Sequence, residues 1–330
     1  MVKPSEFTPR TSALLATLLG EVFPAERVAV VQGDAAVGAA FSRLPLDHLL
    51  FTGSTAVGKA VMAAAAPNLV PVTLELGGKS PALVAPGFDL ARAAGRIASG
   101  KCFNAGQTCV APDYVLVPRA QRDAFVEAYF AAVAQRYPTL AGNPDYTAVV
   151  NARQAARLRG LLDDARARGV VVREYAADAA DAPEGLEILP PTVLLDPPAD
   201  AKVMQEEIFG PLLPVIGYDD FDQALDFILA RERPLAFYPF DTDAARLERT
   251  LDTIVAGGVC VNDTLIQFGQ DALPVGGVGP SGMGRYHGHA GFLAFSHELP
   301  VVRQPRLNGL GFFDPPYGRI ADFLVKFLTR

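Results

Sequence analysis

The chain has 330 residues, enough for two domains of ordinary size, and half of them are apolar, so a sizeable core is available and global disorder is excluded. The 29 basic residues stand against 36 acidic ones, and a net charge of −7 argues against nucleic acid as a partner, which requires a basic face. No apolar run has the length of a membrane span, the first ten residues lack the apolar stretch of a signal peptide, and three cysteines (Cys102, Cys109, Cys260) suit reduced thiols in the cytoplasm better than a disulfide framework.

Thr8-Pro9 reads as an N-cap with proline in the first turn, opening a helix through Leu14, Leu15, Leu18 and Leu19. Val28 to Val31 is a β-branched run stopped by Gln32-Gly33-Asp34, and Asp34 caps a helix over Ala35 to Leu44. A strand is predicted over Leu49 to Thr52, a helix over Ala56 to Ala66 after the turn Gly53-Ser54-Thr55, and a strand over Val70 to Leu76. This alternation predicts a parallel sheet with crossover helices. A second series adds helices over Leu90 to Ser99, Arg119 to Arg136, Asn151 to Arg168, Phe221 to Ala230 and Ala244 to Ala256. Its strands are Tyr114 to Val117, Val170 to Arg173, Leu212 to Tyr218, Ala236 to Phe240 and Val259 to Asn262. The chain therefore reads as α/β, with two sheets joined near Leu76 to Ser80 and a Gly- and aromatic-rich stretch from Asp271 onward.

Two short segments could carry chemistry. In Phe103 to Pro112 a helix ends in a Gly-containing polar loop that presents Cys109, and Pro112 bars helix continuation. A thiol so placed can serve as an acyl-accepting nucleophile with its own backbone N–H near a developing oxyanion, or it can be a buried structural cysteine. Cys102 and Cys260 lie in apolar surroundings and read as structural. Glu75, flanked by Leu74 and Leu76 at a strand end, would if buried have a raised pKa suited to a general base; taken by itself, the favoured reading is a glutamate that faces solvent or pairs with Lys79.

The glycine and histidine patterns exclude more than they assign. Gly53 to Lys59 nearly forms a P-loop, but Ala60 stands where a metal-binding Ser or Thr is needed, so nucleotide hydrolysis is disfavoured while a pyrophosphate could still sit on the helix N-terminus. Gly277-Val278-Gly279-Pro280-Ser281-Gly282 fits the dinucleotide pattern in letters only, since no strand precedes it and Pro280 breaks the turn; it reads as a sharp loop. His287 and His289 lack companions at ligand spacing, so no metal is expected. Ile320, Phe323, Leu324, Phe327 and Leu328 have helical apolar spacing, as for docking on the protein itself or on a partner subunit.

In combination and order, Lys3-Pro4-Ser5-Glu6, FTGSTAVGK (Phe51 to Lys59), LELGGKSP (Leu74 to Pro81), FNAGQTC (Phe103 to Cys109) and EEIFGP (Glu206 to Pro211) resemble the aldehyde dehydrogenase superfamily. LPVGGVGPSGMGRYHG (Leu273 to Gly288) and FSHELPV (Phe295 to Val301) look like its class 3 branch, and PPYGRIADFLVKFL (Pro315 to Leu328) is similar to bacterial coniferyl aldehyde dehydrogenases. The resemblance implies that fold, with a partial Rossmann-like cofactor domain over residues 1–76, a catalytic domain over 77–264, and a return to the cofactor domain with an oligomerisation strand and tail over 265–330.

By the same resemblance Cys109 is the nucleophile and Glu75 the base that activates water against a thioester. Lys3 and Glu6 hold the adenosine ribose, Gly53 and Ser54 the pyrophosphate, and Glu207 and Phe209 the nicotinamide end. The implied cofactor is NAD, with NADP possible, since Glu6 would repel a 2′-phosphate. The implied substrate is a small aldehyde, aromatic as in coniferyl aldehyde, and the implied assembly is a homodimer. Family members carry a substantial portion ahead of the Lys-Pro-Ser-Glu motif, which here begins at residue 3. The resemblance thus implies an N-terminally truncated chain lacking the asparagine of the oxyanion hole, leading strands of the cofactor sheet and part of the oligomerisation arm. Two expectations follow: an active oxidoreductase, or an incompetent fragment that at most binds cofactor or subunits. Cys102, Gln267, Phe268 and Val275 depart from what the family would place there and bear on substrate choice or packing.

Overall fold

The computed structural model describes residues 1–175, 178, 183 and 185–329. It divides into two compact units, Met1–Phe295 and Ser296–Arg330. The first unit holds two sheets. The smaller pairs β1 (Leu49–Thr52) in parallel with β2 (Val72–Glu75), and β2 antiparallel with β10 (Gly282–Met283). Helices α1 (Pro9–Val22) and α2 (Ala35–Phe41) precede them, and α3 (Thr55–Ala65) runs between β1 and β2. Asp34 caps α2 and Ser54 caps α3 through their side chains, whereas Thr8 makes no such bond ahead of α1; Pro9 alone marks that start.

The larger sheet has the order β5-β6-β7-β4-β3-β8-β9. Its strands are β3 (Pro81–Val84), β4 (Tyr114–Pro118), β5 (Val171–Glu174), β6 (Thr192–Leu195), β7 (Leu212–Tyr218), β8 (Ala236–Phe240) and β9 (Gly258–Val259). All pairings are parallel except the edge pair β5–β6. Helices cover both faces, so the central strands are apolar throughout rather than alternating. Ala82, Val84, Val115, Val117, Leu213 and Val215 point to one core, shared with α4 (Leu90–Cys102) and α5 (Arg122–Arg136). Leu83, Leu116, Leu194, Leu212 and Phe237 point to the other, shared with α6 (Ala152–Ala167) and α8 (Phe221–Leu229). This is the α/β architecture expected, and Leu76–Ser80 is the link between the sheets.

Several elements differ from expectation. The predicted strand over Val28 to Val31 is a single parallel bridge, Val2 with Val30, because Pro4 follows at once and has no N–H to extend a ladder. The helix predicted over Arg119 to Arg136 opens with a 3₁₀ turn, Arg119–Gln121, before α5 begins. β3, β6 and β10 carry no clear strand signal, nor do α7 (Lys202–Gln205) and α10 (Gly288–Ala294) as helices; α9 (Ala244–Thr253) ends before its predicted limit. In the second unit α11 (Arg319–Leu328) forms where the apolar spacing placed it. Among the described residues no helix is long and apolar enough to cross a membrane.

Candidate active site

α4 ends at Cys102, and three successive residues, Asn104, Ala105 and Gly106, then take positive φ values of 51°, 51° and 75°. Two non-glycine residues there are strained and need external support. Gln107 supplies it: its Nε2 donates to the carbonyls of Asn104 (3.1 Å) and Ala148 (3.0 Å), and its Oε1 accepts from Val150 N–H at 2.9 Å. Gly106 is required by closeness as well as by φ, because a Cβ there would stand 2.2 Å from the Gly210 carbonyl oxygen. The loop thereby fixes Cys109 half-buried, with its own N–H and that of Val110 turned to the sulfur. Burial, then the Glu207 and Glu75 carboxylates, push the thiol up to about 11, against those two N–H groups.

Glu75 closes β2, its side chain only 6% exposed. Burial raises it to about 7, opposed by the Gly277 N–H that bonds its carboxylate; its Oε1 is buried without a partner in the protein. The segment read as a sharp loop is what covers it: Gly282 pairs with Glu75 in the sheet, Leu76 N–H donates to Ser281 at 3.2 Å, and Thr55 at the head of α3 donates to the Pro280 carbonyl at 3.0 Å. The salt bridge considered between Glu75 and Lys79 does not form; Lys79 instead pairs with Asp113 and donates to the carbonyls of Val203 (2.8 Å) and Glu206 (2.9 Å).

That pair is part of a buried charge cluster invisible in the local sequence. The other Asp113 oxygen accepts from Ile208 N–H at 2.9 Å, so one carboxylate ties the inter-sheet link to the 203–208 segment. Arg157 donates to the carbonyls of Glu207 (3.1 Å) and Ile208 (2.5 Å). Lys101, on the last turn of α4 and 1% exposed, is pushed down to about 8 by burial, with Asp113 the chief opposing charge. No sequence signal marks Lys101 or Asp113, since charged residues are rarely buried and only folding joins them. Removing Asp113 strands the buried Lys101 charge and leaves the half-buried Lys79 without its carboxylate. Asp113→Ala is expected to destabilise by about 3–5 kcal/mol, and the double change Lys79→Met/Asp113→Leu by less than the single one; denaturant midpoints compare them.

Glu207 and Phe209 sit on the segment this cluster holds. The Glu207 carboxylate lies against the Gly77 backbone, where a Cβ would be 1.9 Å from Oε2, and accepts the Gly78 N–H. Burial and neighbouring Asp113 raise it to about 7. Phe209 has φ of 46° and a ring 39% exposed, a strained conformation kept in place by the anchored carbonyls before it. Glu75 and Glu207 thus both act on the Cys109 thiol, and Tyr286 joins them: burial, Glu75 and Cys109 raise its hydroxyl to about 12.

The other candidates have donor sets suited to a dinucleotide. Gly53 and Ser54 are exposed at the carboxyl end of β1, and the first turn of α3 offers its free N–H groups there. Lys3 Nζ and Glu6 Oε2 are 2.9 Å apart, and that bond holds Glu6 below its ordinary pKa, an ionised acceptor for hydroxyl groups. Cys102 is buried beside the Tyr129 hydroxyl (3.8 Å), and Cys260 is buried as well.

The aldehyde dehydrogenase family model matches residues 1–298. The "probable coniferyl aldehyde dehydrogenase" of Pseudomonas aeruginosa is 55% identical over 325 residues, covering 98% of this chain and 67% of its own length. The coniferyl aldehyde dehydrogenase of a Pseudomonas species is 49% identical, covering 99% and 69%. A solved structure, the substrate-bound state of Staphylococcus aureus AldH, superposes with a TM-score of 0.90 at 39% identity, covering 99% of this chain and 70% of that one. The chain spans about two thirds of the length of these relatives.

Proposed function

The chain belongs to the aldehyde dehydrogenase family, and on that premise we propose that it oxidises an aromatic aldehyde, of the coniferyl aldehyde kind, to the acid with NAD as hydride acceptor. One observation carries the reading: a single thiol on a rigid loop, flanked by a buried carboxylate near pKa 7. The exposed N-terminus of α3, the Lys3–Glu6 pair and the Phe209 ring fit the pyrophosphate, ribose and nicotinamide parts of a dinucleotide. Bound there, the nicotinamide would supply the hydride acceptor.

Each remaining part falls to the chain itself. Cys109 sulfur attacks the aldehyde carbon, and the proton leaves to a neighbouring carboxylate, Glu75 or Glu207, each poised near 7. The adduct oxygen develops next to the sulfur, where the Cys109 and Val110 N–H groups are already directed. Loss of hydride leaves a thioester on Cys109. Glu75, buried and with one oxygen unpartnered, then takes a proton from the water that hydrolyses it. The free cysteines suit a reducing, cytoplasmic setting, and family resemblance adds a homodimer.

Formation of reduced nicotinamide from coniferyl aldehyde by the purified chain tests the proposal; its absence with saturating NAD and NADP favours a chain that only binds. Cofactor choice is a separate expectation. An ionised Glu6 at contact distance from a 2′-phosphate costs about 1 kcal/mol or more. Glu6→Gln should therefore raise the NADP-to-NAD ratio of kcat/KM by roughly tenfold, read from steady-state rates with each dinucleotide.

A further inference from the structure

Next to the nucleophile loop a cavity of about 140 Å³ opens between Val110, Leu235, Val259, Phe268, Val275 and Gln267. An apolar cavity of roughly 150 Å³ accepts one benzene ring, so this one has the size and walls for a single aromatic ring. Gln267 supplies the polar feature. Its Nε2 donates to the Tyr238 hydroxyl at 3.3 Å, while that hydroxyl donates to the Val110 carbonyl oxygen at 2.5 Å. A hydroxyl has one hydrogen, so toward Gln267 it can only accept, which fixes the amide with Nε2 on Tyr238 and leaves Oε1 for something else. Oε1 is buried and has no partner in the protein. A buried acceptor left open in a native structure calls for a group from outside the chain to complete it.

The same hydroxyl network reaches the reacting centre: Val110 follows Cys109 directly, and Tyr238 lies within electrostatic reach of the Cys109 sulfur. We propose that Gln267 determines specificity, its Oε1 accepting the hydrogen of a hydroxyl carried on the aromatic ring of the substrate, so that the site selects phenolic aldehydes over unsubstituted aromatic ones. This rests on the aldehyde-oxidising reading above and names the substrate feature it recognises. A site with a dedicated partner for a substrate hydroxyl penalises the analogue that lacks it, because the buried acceptor is then left open.

The test compares 4-hydroxycinnamaldehyde with cinnamaldehyde, which differ by that hydroxyl alone. The parent chain should favour the former in kcat/KM by on the order of tenfold or more, and Gln267→Leu should bring the ratio to about one. A parent ratio near one, as when a water already completes Oε1, overturns the proposal, and so does a leucine variant that keeps the preference. Calorimetric binding of the two product acids, 4-hydroxycinnamate and cinnamate, gives the same comparison without turnover. Absence of turnover with both aldehydes would count against the oxidation reading. A hydroxyl preference in acid binding that is lost in Gln267→Leu would still support the role of Gln267, and equal binding would overturn it.

Discussion

Cys109→Ala is expected to lower aldehyde oxidation by on the order of 10⁴-fold or more while leaving dinucleotide affinity in place. The loop that carries the thiol is held by Gln107 and by the Gly106–Gly210 approach, neither of which involves the sulfur, so alanine fits without rearrangement. No other thiol can replace it. Cys102 is 2% exposed and packed with Tyr129, and Cys260 is 5% exposed within the same core. Affinity is measured by the fluorescence of the reduced dinucleotide on binding. Turnover within tenfold of the parent would place the nucleophile elsewhere. An affinity loss that matches the rate loss would mean that the loop had collapsed.

The parts of the fold legible in the sequence are those whose signal is local. Leu49–Thr52, Leu212–Tyr218 and Ala236–Phe240 are short apolar runs between turn residues, and each is a strand with the predicted bounds. β3 is as central as β8 but begins Pro81-Ala82, and such residues are poor strand formers; it is a strand because β4 and β8 flank it on both sides. β10 is two residues of a glycine loop, made a strand only by the edge of β2. The site divides the same way. Cys109 and Glu75 stood out as a cysteine presented by a polar, Gly-containing loop and a carboxylate between leucines. Their surroundings could not, because Gly277 lies some two hundred residues beyond Glu75 in the chain, and Asp113, Lys101 and Glu207 meet only after the 203–208 segment folds back on the link. A titratable group is named by sequence; its pKa is set by neighbours that sequence does not adjoin.

Glu75→Gln is expected to divide the two halves of the reaction. Burial raises Glu75 to about 7, so in the parent the carboxylate form, the one able to take a proton from water, is lost as pH falls through that value. Thioester hydrolysis should rise with pH through about 7 and then level. The glutamine variant has no base there, and hydrolysis should slow by on the order of 10²- to 10⁴-fold with that pH step gone. The thiol responds in the opposite sense. The Glu75 charge is one of two carboxylate charges that hold Cys109 near 11, and removing it lowers the thiol pKa, so alkylation by iodoacetamide at a fixed pH above neutrality should quicken. With Glu207 still able to take the thiol proton, the first half proceeds while the second slows, and the acyl group stays on the enzyme. Intact-mass measurement during turnover should find one acyl adduct per chain on Cys109, preceded by a burst of reduced nicotinamide. A variant with parental steady-state rates and no trapped adduct would assign water activation to another carboxylate, and Glu207, also near 7 and also acting on the thiol, is the one the geometry then leaves.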